Sequence, residues 1–159
     1  MSSLVIGPVV GRPPIVEAPI LNDGWFPDID PAAIRKVARI PVERVIPERL
    51  REALLNAIIT VGDELGDWRV THIAAGRAQL DQVDPRTIDG ENRLVILYRR
   101  AIAATAKAEL VERQRDIDTT TGGQRDVADL EPSIGELRRD AIHAVRTILG
   151  RGLTDIELI

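Results

Sequence analysis

The sequence contains no cysteine and few aromatic residues, and each shortage limits what the protein can be. Without cysteine there are no disulfides and no thiolate nucleophiles or ligands, which fits a reducing cytoplasm. Aromatic residues make up only 3% of the chain, so the core has to be built from leucine, isoleucine, valine and alanine, a composition that favours packed helices. With 159 residues, 44% of them apolar, the chain suits a single globular domain.

Charge and hydropathy argue against two further classes. The formal net charge is −4, whereas a protein that coats DNA non-specifically needs a strong excess of lysine and arginine. No apolar run approaches the length of a membrane span, and prolines interrupt the N-terminal apolar stretch. We therefore expect neither a membrane anchor nor a signal peptide, although a local basic patch stays compatible with this charge.

Two helices are predicted in the first half of the chain. The first begins at Pro31 behind the N-cap Asp30, and Trp25 and Phe26 just before it are expected to clamp its start against the core. The second is expected over Pro47–Ala75, where apolar residues recur every three or four positions. Two glycines inside that range, at 62 and 66, indicate a bend or a close helix crossing.

Two more helices are predicted in the second half. A loop with the sequence VDPRTIDG leads to a helix over Glu91–Ile117, whose apolar stripe is rich in small residues, so that a neighbour can approach closely. Ser133 and Glu136 have the spacing of a capping box and open the last helix, which Gly150 ends. The predicted fold is all-α, a four-helix domain with two extended arms.

The expected domain organisation has three parts. Residues 1–24 form an N-terminal arm, since β-branched residues and prolines there prevent a long helix; residues 25–150 form the helical domain; and residues 151–159 form a C-terminal tail. The tail, LTDIELI, alternates like a strand, with Thr154, Ile156 and Leu158 on one side. This pattern is typical of a strand that pairs with an exposed sheet edge.

Catalytic, cofactor and metal sites are not predicted. The two histidines, His72 and His143, lack metal-ligand neighbours at a recognisable spacing and are interpreted as unrelated surface or rim residues. The glycine-bearing segments do not have the Gly-Lys-Ser/Thr ending of a phosphate loop, and no serine lies in a nucleophile elbow. We expect a protein that is not an enzyme and uses no cofactor.

Arginines cluster on the predicted helices and allow two interpretations. The clusters are Arg99 with Arg100, Arg113 with Arg115, and Arg138 with Arg139. Acidic residues accompany them at helical spacing, which is typical of a solvated face of mixed charge. The other interpretation is that Arg99, Arg100, Arg113 and Arg115 contact a neighbouring subunit or line a DNA channel.

Three segments together resemble one known family. They are NDGWFPDID at residues 22–30, LVILYRRAIAATAKAELVERQRDIDTTTGG at residues 94–123, and LRRDAIHAVRTILG with the closing TDIELI. In order and spacing they are similar to the phage head completion proteins of the GPL type, from temperate contractile-tailed phages. The resemblance covers roughly residues 20–159.

The resemblance implies a structural role in the head–tail connector of a virion. Such proteins act after the head has been filled with DNA, attach beneath the portal protein, complete the head and prepare it for tail joining. Their similarity to other head–tail adaptors implies a ring, expected to be a dodecamer, around a channel through which DNA passes without sequence-specific binding. The implied partners are the portal, further copies of the chain, and the next neck or tail-completion protein, first in the host cytoplasm and then in the virion.

The C-terminal tail has a candidate role within such an assembly. Seven residues span at most about 23–25 Å, and an extended segment can add itself to a partner's sheet edge. We predict that Thr154, Ile156, Leu158 and Ile159 dock on the portal or on an adjacent subunit; the alternative is that the tail folds back on its own domain. Two other functions stay open, a neck or tail-terminator ring protein and a small helical DNA-binding regulator.

Overall fold

A computed structural model of the protein describes residues 16–118 and 132–152, with side chains as far as residue 114 in the first range. These residues are mostly helical, as predicted. They form five α-helices: α1 (Pro31–Ala38), α2 (Pro47–Glu64), α3 (Gly66–Ala74), α4 (Arg93–Asp118) and α5 (Ile134–Ile148). A 3-10 helix at Leu80–Gln82 and a small hairpin of β1 (Thr87–Ile88) and β2 (Glu91–Asn92) lie between α3 and α4.

The helix starts follow the capping signals of the sequence. At α1, the Asp30 carboxylate accepts a hydrogen bond from the backbone N–H of Ala32 at 2.9 Å, and Pro31 occupies the first turn. At α5, the Ser133 hydroxyl accepts from the backbone N–H of Glu136, and the Glu136 carboxylate accepts from the backbone N–H of Ser133. The predicted capping box is therefore confirmed, and both helices begin where their sequences indicated.

The predicted second helix is broken into two, so the prediction of four helices was wrong. The break falls at Leu65, whose φ and ψ of −94° and 0° interrupt the helix while its side chain stays fully buried. A Cβ placed at Gly62 or Gly66 would have no atom within 4 Å, so these glycines mark a bend and not a close crossing. Beyond the break, Trp68 of α3 meets Trp25 edge-on, with ring centroids 5.9 Å apart.

The segment predicted as a plain loop before α4 contains a β-hairpin. Asp89 and Gly90 both have positive φ, 50° and 76°, which is the signature of a type I′ turn. Thr87 pairs with Asn92 in antiparallel register. The Asn92 side-chain oxygen accepts from the N–H of Leu94 at 2.9 Å and caps α4, so that helix begins two residues later than predicted.

The core is organised around α4. This helix packs against α5 along much of its length and against α2 on another side. Small buried residues such as Ala101 and Ala106 let its neighbours approach closely. The inward face of α5 follows the helical period of its apolar residues, and all its members are buried: Leu137, Ala141, Ala144, Val145 and Ile148.

An aromatic cluster fastens the chain before α1 to the core. Trp25 and Phe26 are 5% and 4% exposed, and Phe26 stacks on Tyr98 of α4 with ring centroids 4.7 Å apart. Asn22 donates a hydrogen bond from Nδ2 to the Tyr98 hydroxyl at 3.0 Å, and Trp25 meets Trp68 edge-on. The predicted clamp is confirmed, and its partner is α4 together with α3.

Candidate assembly surfaces

An apolar groove opens between α1, α4 and α5, and we name it the α1–α4–α5 groove. Its volume is about 680 Å³. Buried Ile34, Ala103, Ala104 and Leu137 form its floor, and Val37 stands on its wall with 79% of its surface exposed. Ile34 and Val37 share one apolar face of α1, and this face borders an open groove and not only the core.

The rim of this groove is predominantly cationic. Among the described residues, three exposed arginines line it against two carboxylates, Arg39, Arg99 and Arg100 with Glu91 and Asp140, whereas Lys107 lines it as a buried residue. Arg99 is paired with Glu91, and Arg100 donates to Asp140 at 3.3 Å across the α4–α5 interface. Arg39 ends α1 in a left-handed conformation with φ 52°, is exposed, and forms no ion pair with any described residue.

The structure separates the arginines that the sequence grouped as contact candidates. Arg99 and Arg100 lie together on the groove rim. Arg113 lies on another side of α4, where it pairs with Glu109 at 2.8 Å and with Glu52 of α2 at 3.2 Å. The side chain of Arg115 lies outside the described residues. A role for these four residues in subunit or DNA contacts stays a prediction.

Exposed apolar side chains also occur on α2 and α3, two on one face of each helix by their spacing of three or four residues, and we name this set the α2–α3 ridge. Its members are Leu55, Ile59, Val70 and Ile73, of which Ile59 and Val70 are 62% and 65% exposed. Gly62 and Gly66 lie between them in the chain and also face open space. The sequence analysis did not predict this surface, although Leu55 and Ile59 lie outside the inward apolar stripe of the predicted helix.

Carboxylates accompany the ridge. Asp63, Glu64 and Asp67 are exposed at the α2–α3 junction, between Ile59 and Val70 in the chain. None of the three forms an ion pair within the part of the chain that the structure describes. The ridge therefore combines exposed apolar side chains with a negative potential, the opposite sign to the groove rim.

The described histidines and carboxylates are not grouped into a metal site. Within residues 16–118 and 132–152, no group of three or more His, Asp or Glu is arranged to hold a metal ion. His72 packs edge-on against Trp68 with ring centroids 4.5 Å apart, and His143 lies on α5, where its carbonyl accepts from the Thr147 hydroxyl. In the same residues, no helix is long and apolar enough to cross a membrane.

The tail residues predicted to dock, Thr154, Ile156, Leu158 and Ile159, lie outside the described residues, as do residues 1–15 of the N-terminal arm. The described end of that arm is held on α1. Glu17 accepts two hydrogen bonds from Arg35, at 2.7 Å and 2.8 Å, and both side chains are largely buried. The proposed division into arm, helical domain and tail stays a prediction.

Exposed apolar surfaces such as the groove and the ridge are typical of a protein that forms contacts with other proteins. The comparison with known families identifies which assembly. The family model of the phage head completion protein (GPL) matches residues 20–159, and the chain belongs to this family. The resemblance inferred from the three sequence segments is thereby confirmed, and the protein is a structural protein associated with the phage head.

Two relatives support this membership over nearly the whole chain. The head completion/stabilization protein of Escherichia phage P2 is 38% identical over 146 residues, which cover 91% of this chain and 86% of the relative. The probable head completion/stabilization protein of Haemophilus phage HP1 is 29% identical over 144 residues, covering 88% of this chain and 91% of that protein. No solved structure matches the chain.

Proposed function

We propose that the protein is a head–tail connector adaptor that assembles as a ring beneath the portal after DNA packaging, stabilises the filled head and offers the surface to which the tail attaches. Its family membership supports the head-completion part of this proposal. The single structural observation that supports the ring is the pair of uncovered apolar surfaces on one small subunit, the α1–α4–α5 groove and the α2–α3 ridge. Exposed apolar surfaces of this kind mark sites of protein contact.

The described arginines favour protein contact over a DNA-binding function. Arg99, Arg100 and Arg113 each pair with a carboxylate of the same chain, which neutralises much of the charge available to phosphate groups. The net charge of −4 acts in the same direction. The adaptor proposal thus predicts that DNA passes through the ring without strong binding to free subunits.

The C-terminal tail is proposed to dock on the portal or on an adjacent subunit through Thr154, Ile156, Leu158 and Ile159. These residues follow Gly152, the last described residue after α5, and alternate with Asp155 and Glu157. An extended segment with this alternation presents apolar side chains on one side and carboxylates on the other. Such a segment suits an apolar acceptor surface that carries cationic groups.

The test is electron microscopy of the protein mixed with its portal, together with a variant that lacks residues 154–159. We expect the full chain to form a symmetric ring on the outer end of the portal, and the truncated chain to fold but to bind poorly. A matched control replaces Asp155 and Glu157 by asparagine and glutamine, which keeps the apolar side chains. A truncated protein that joins DNA-filled heads normally would refute tail docking, and a full chain that forms no ring on the portal would refute the adaptor function.

A further inference from the structure

We propose that the α2–α3 ridge of one copy seats in the α1–α4–α5 groove of the next copy, so that this single contact, repeated, closes the ring. The proposal rests on the ring function inferred above and names the two faces that form its subunit interface. A head-to-tail interface requires two different, complementary surfaces on each subunit. The groove and the ridge are candidates for these two surfaces because they differ in charge and in position on the subunit.

The groove has room for the exposed side chains of the ridge. The groove is concave and has a buried apolar floor of Ile34, Ala103 and Leu137. On the ridge, Ile59 and Val70 are more than half exposed, and Gly62 and Gly66 between them carry no side chain. Because the glycines leave open space, the backbone of the ridge can approach a neighbouring surface closely while the flanking apolar side chains enter the groove.

The charges are complementary as well. The exposed carboxylates of Asp63, Glu64 and Asp67 accompany the ridge, and the groove rim carries more cationic than acidic side chains. Arg39 on that rim has no ion-pair partner among the described residues, and neither has Asp63 at the ridge. Juxtaposed surfaces of opposite sign steer association and fix the orientation of the subunits.

The two surfaces lie on different sides of the subunit. Glu109 and Arg113 of α4 bond side chains of α2, whereas Ala103 and Lys107 of α4 line the groove. With about 100° of rotation per residue, these two pairs are about 120° apart around α4. The ridge lies on the outside of α2, beyond that contact, so one subunit can offer its ridge to one neighbour and its groove to the other.

A second copy accounts for more of the surface than other occupants of the groove. The tail segment at residues 153–159 also combines apolar and acidic residues, but its docking in the groove would leave the ridge uncovered. A ridge–groove contact removes both apolar surfaces from water on every subunit of a closed ring. Burial of apolar surface is the main favourable term in association, so the contact that covers both is preferred.

The absence of cysteine makes the contact directly testable by disulfide trapping. Val37→Cys places a thiol on the groove wall and Ile59→Cys places one on the ridge, and both positions are exposed, so neither change disturbs the core. Rings of the double variant are assembled on the portal, oxidised and separated on a non-reducing gel. We expect a ladder of covalent multimers up to the full ring.

Two matched pairs complete the trapping experiment. Val37→Cys with Ile142→Cys, an equally apolar and 52% exposed position on α5, is expected to give no ladder. Val37→Cys with Leu158→Cys tests the tail as occupant. Portal-bound rings that cross-link through Leu158 and not through Ile59, or that give no ladder with either, would overturn the proposal while the adaptor function stands. A wild-type chain that forms no ring on the portal would overturn both.

A charge exchange provides an independent readout. Arg39→Glu or Asp63→Arg alone is expected to raise the concentration needed for half-maximal ring formation about tenfold, because like charges then face each other. Both changes in one chain restore a pair of opposite sign and are expected to recover most of that loss. Glu43→Arg, an exposed position outside both surfaces with the same charge change as Asp63→Arg, is the control. Equal effects of all single changes, or no recovery in the double variant, would contradict the proposed pairing.

Discussion

Raising the pH above 10 is predicted to destabilise the protein through one residue, Tyr98. Its side chain is fully buried, and burial raises the pKa of the phenol from 10.0 to about 12, although the hydrogen bond that Asn22 donates to the hydroxyl opposes the rise. Above pH 10 the unfolded chain loses the phenol proton while the folded chain keeps it. The folded state then binds more protons, so its stability falls as the pH rises from about 10 and levels off near the folded pKa of about 12.

The expected size of this loss follows from the shift. Each unit of pKa difference corresponds to about 1.4 kcal/mol, so the full loss between pH 10 and pH 12 is about 2–3 kcal/mol of unfolding free energy. Removing the hydroxyl in Tyr98→Phe eliminates this pH dependence. At neutral pH the same variant loses about 1 kcal/mol, because the Asn22 amide no longer has the hydroxyl as acceptor.

The assay is favourable because Tyr98 is the only tyrosine in the chain. The ultraviolet absorbance of tyrosinate therefore reports this residue alone, and circular dichroism in parallel shows whether the chain is still folded. Denaturant titrations at pH 8 and pH 11, for the wild type and Tyr98→Phe, give the difference in stability. If Tyr98 ionises with a midpoint near pH 10 while the helical signal is intact, the reasoning is refuted. The same holds if the free energy of unfolding depends on pH identically in the wild type and in Tyr98→Phe.

Two further changes test contacts that hold the ends of the fold. Glu17→Ala leaves the largely buried guanidinium of Arg35 without its carboxylate and is expected to cost about 3 kcal/mol of unfolding free energy. A Glu17→Leu/Arg35→Met double variant is expected to recover most of that loss. Denaturant titrations of the wild type and both variants measure these differences, and an equal loss in the double variant would contradict the prediction. Ser133→Ala removes the N-cap of α5 and is expected to lower the free energy of unfolding by about 1 kcal/mol, whereas Ser133→Asp should stay close to wild type. A melting temperature that is unchanged in the alanine variant would show that the cap contributes nothing.

Local signals of the sequence predicted the helix starts well, because a cap depends on a few neighbouring residues. Asp30 with Pro31 and Ser133 with Glu136 each satisfy backbone N–H groups within their own first turn. The inward face of α5 was predictable for a similar reason, since its apolar residues recur with the period of one helix. The hairpin before α4 was missed although Asp89 and Gly90 form a known turn pair, because its two-residue strands leave almost no alternating pattern.

Long-range packing decided the features that the sequence left open. The stripe that predicted one helix over Pro47–Ala75 continues through the break at Leu65, so periodicity alone could not reveal it. The contact of Trp68 with Trp25 joins segments more than forty residues apart, so local patterns could not predict it. The same limit applies to Arg100, whose partner Asp140 comes from another helix.

By itself, the sequence determined the helical composition, the N-caps of α1 and α5 and membership in the head completion family, because these depend on residue types and spacings within short segments. Only the tertiary structure decided which apolar residues face open space. Val37 and Ile59 both belong to amphipathic helices, yet one borders a groove built from three helices and the other an outer ridge. The exposure of a side chain depends on which neighbours cover it, and those neighbours come from distant parts of the chain.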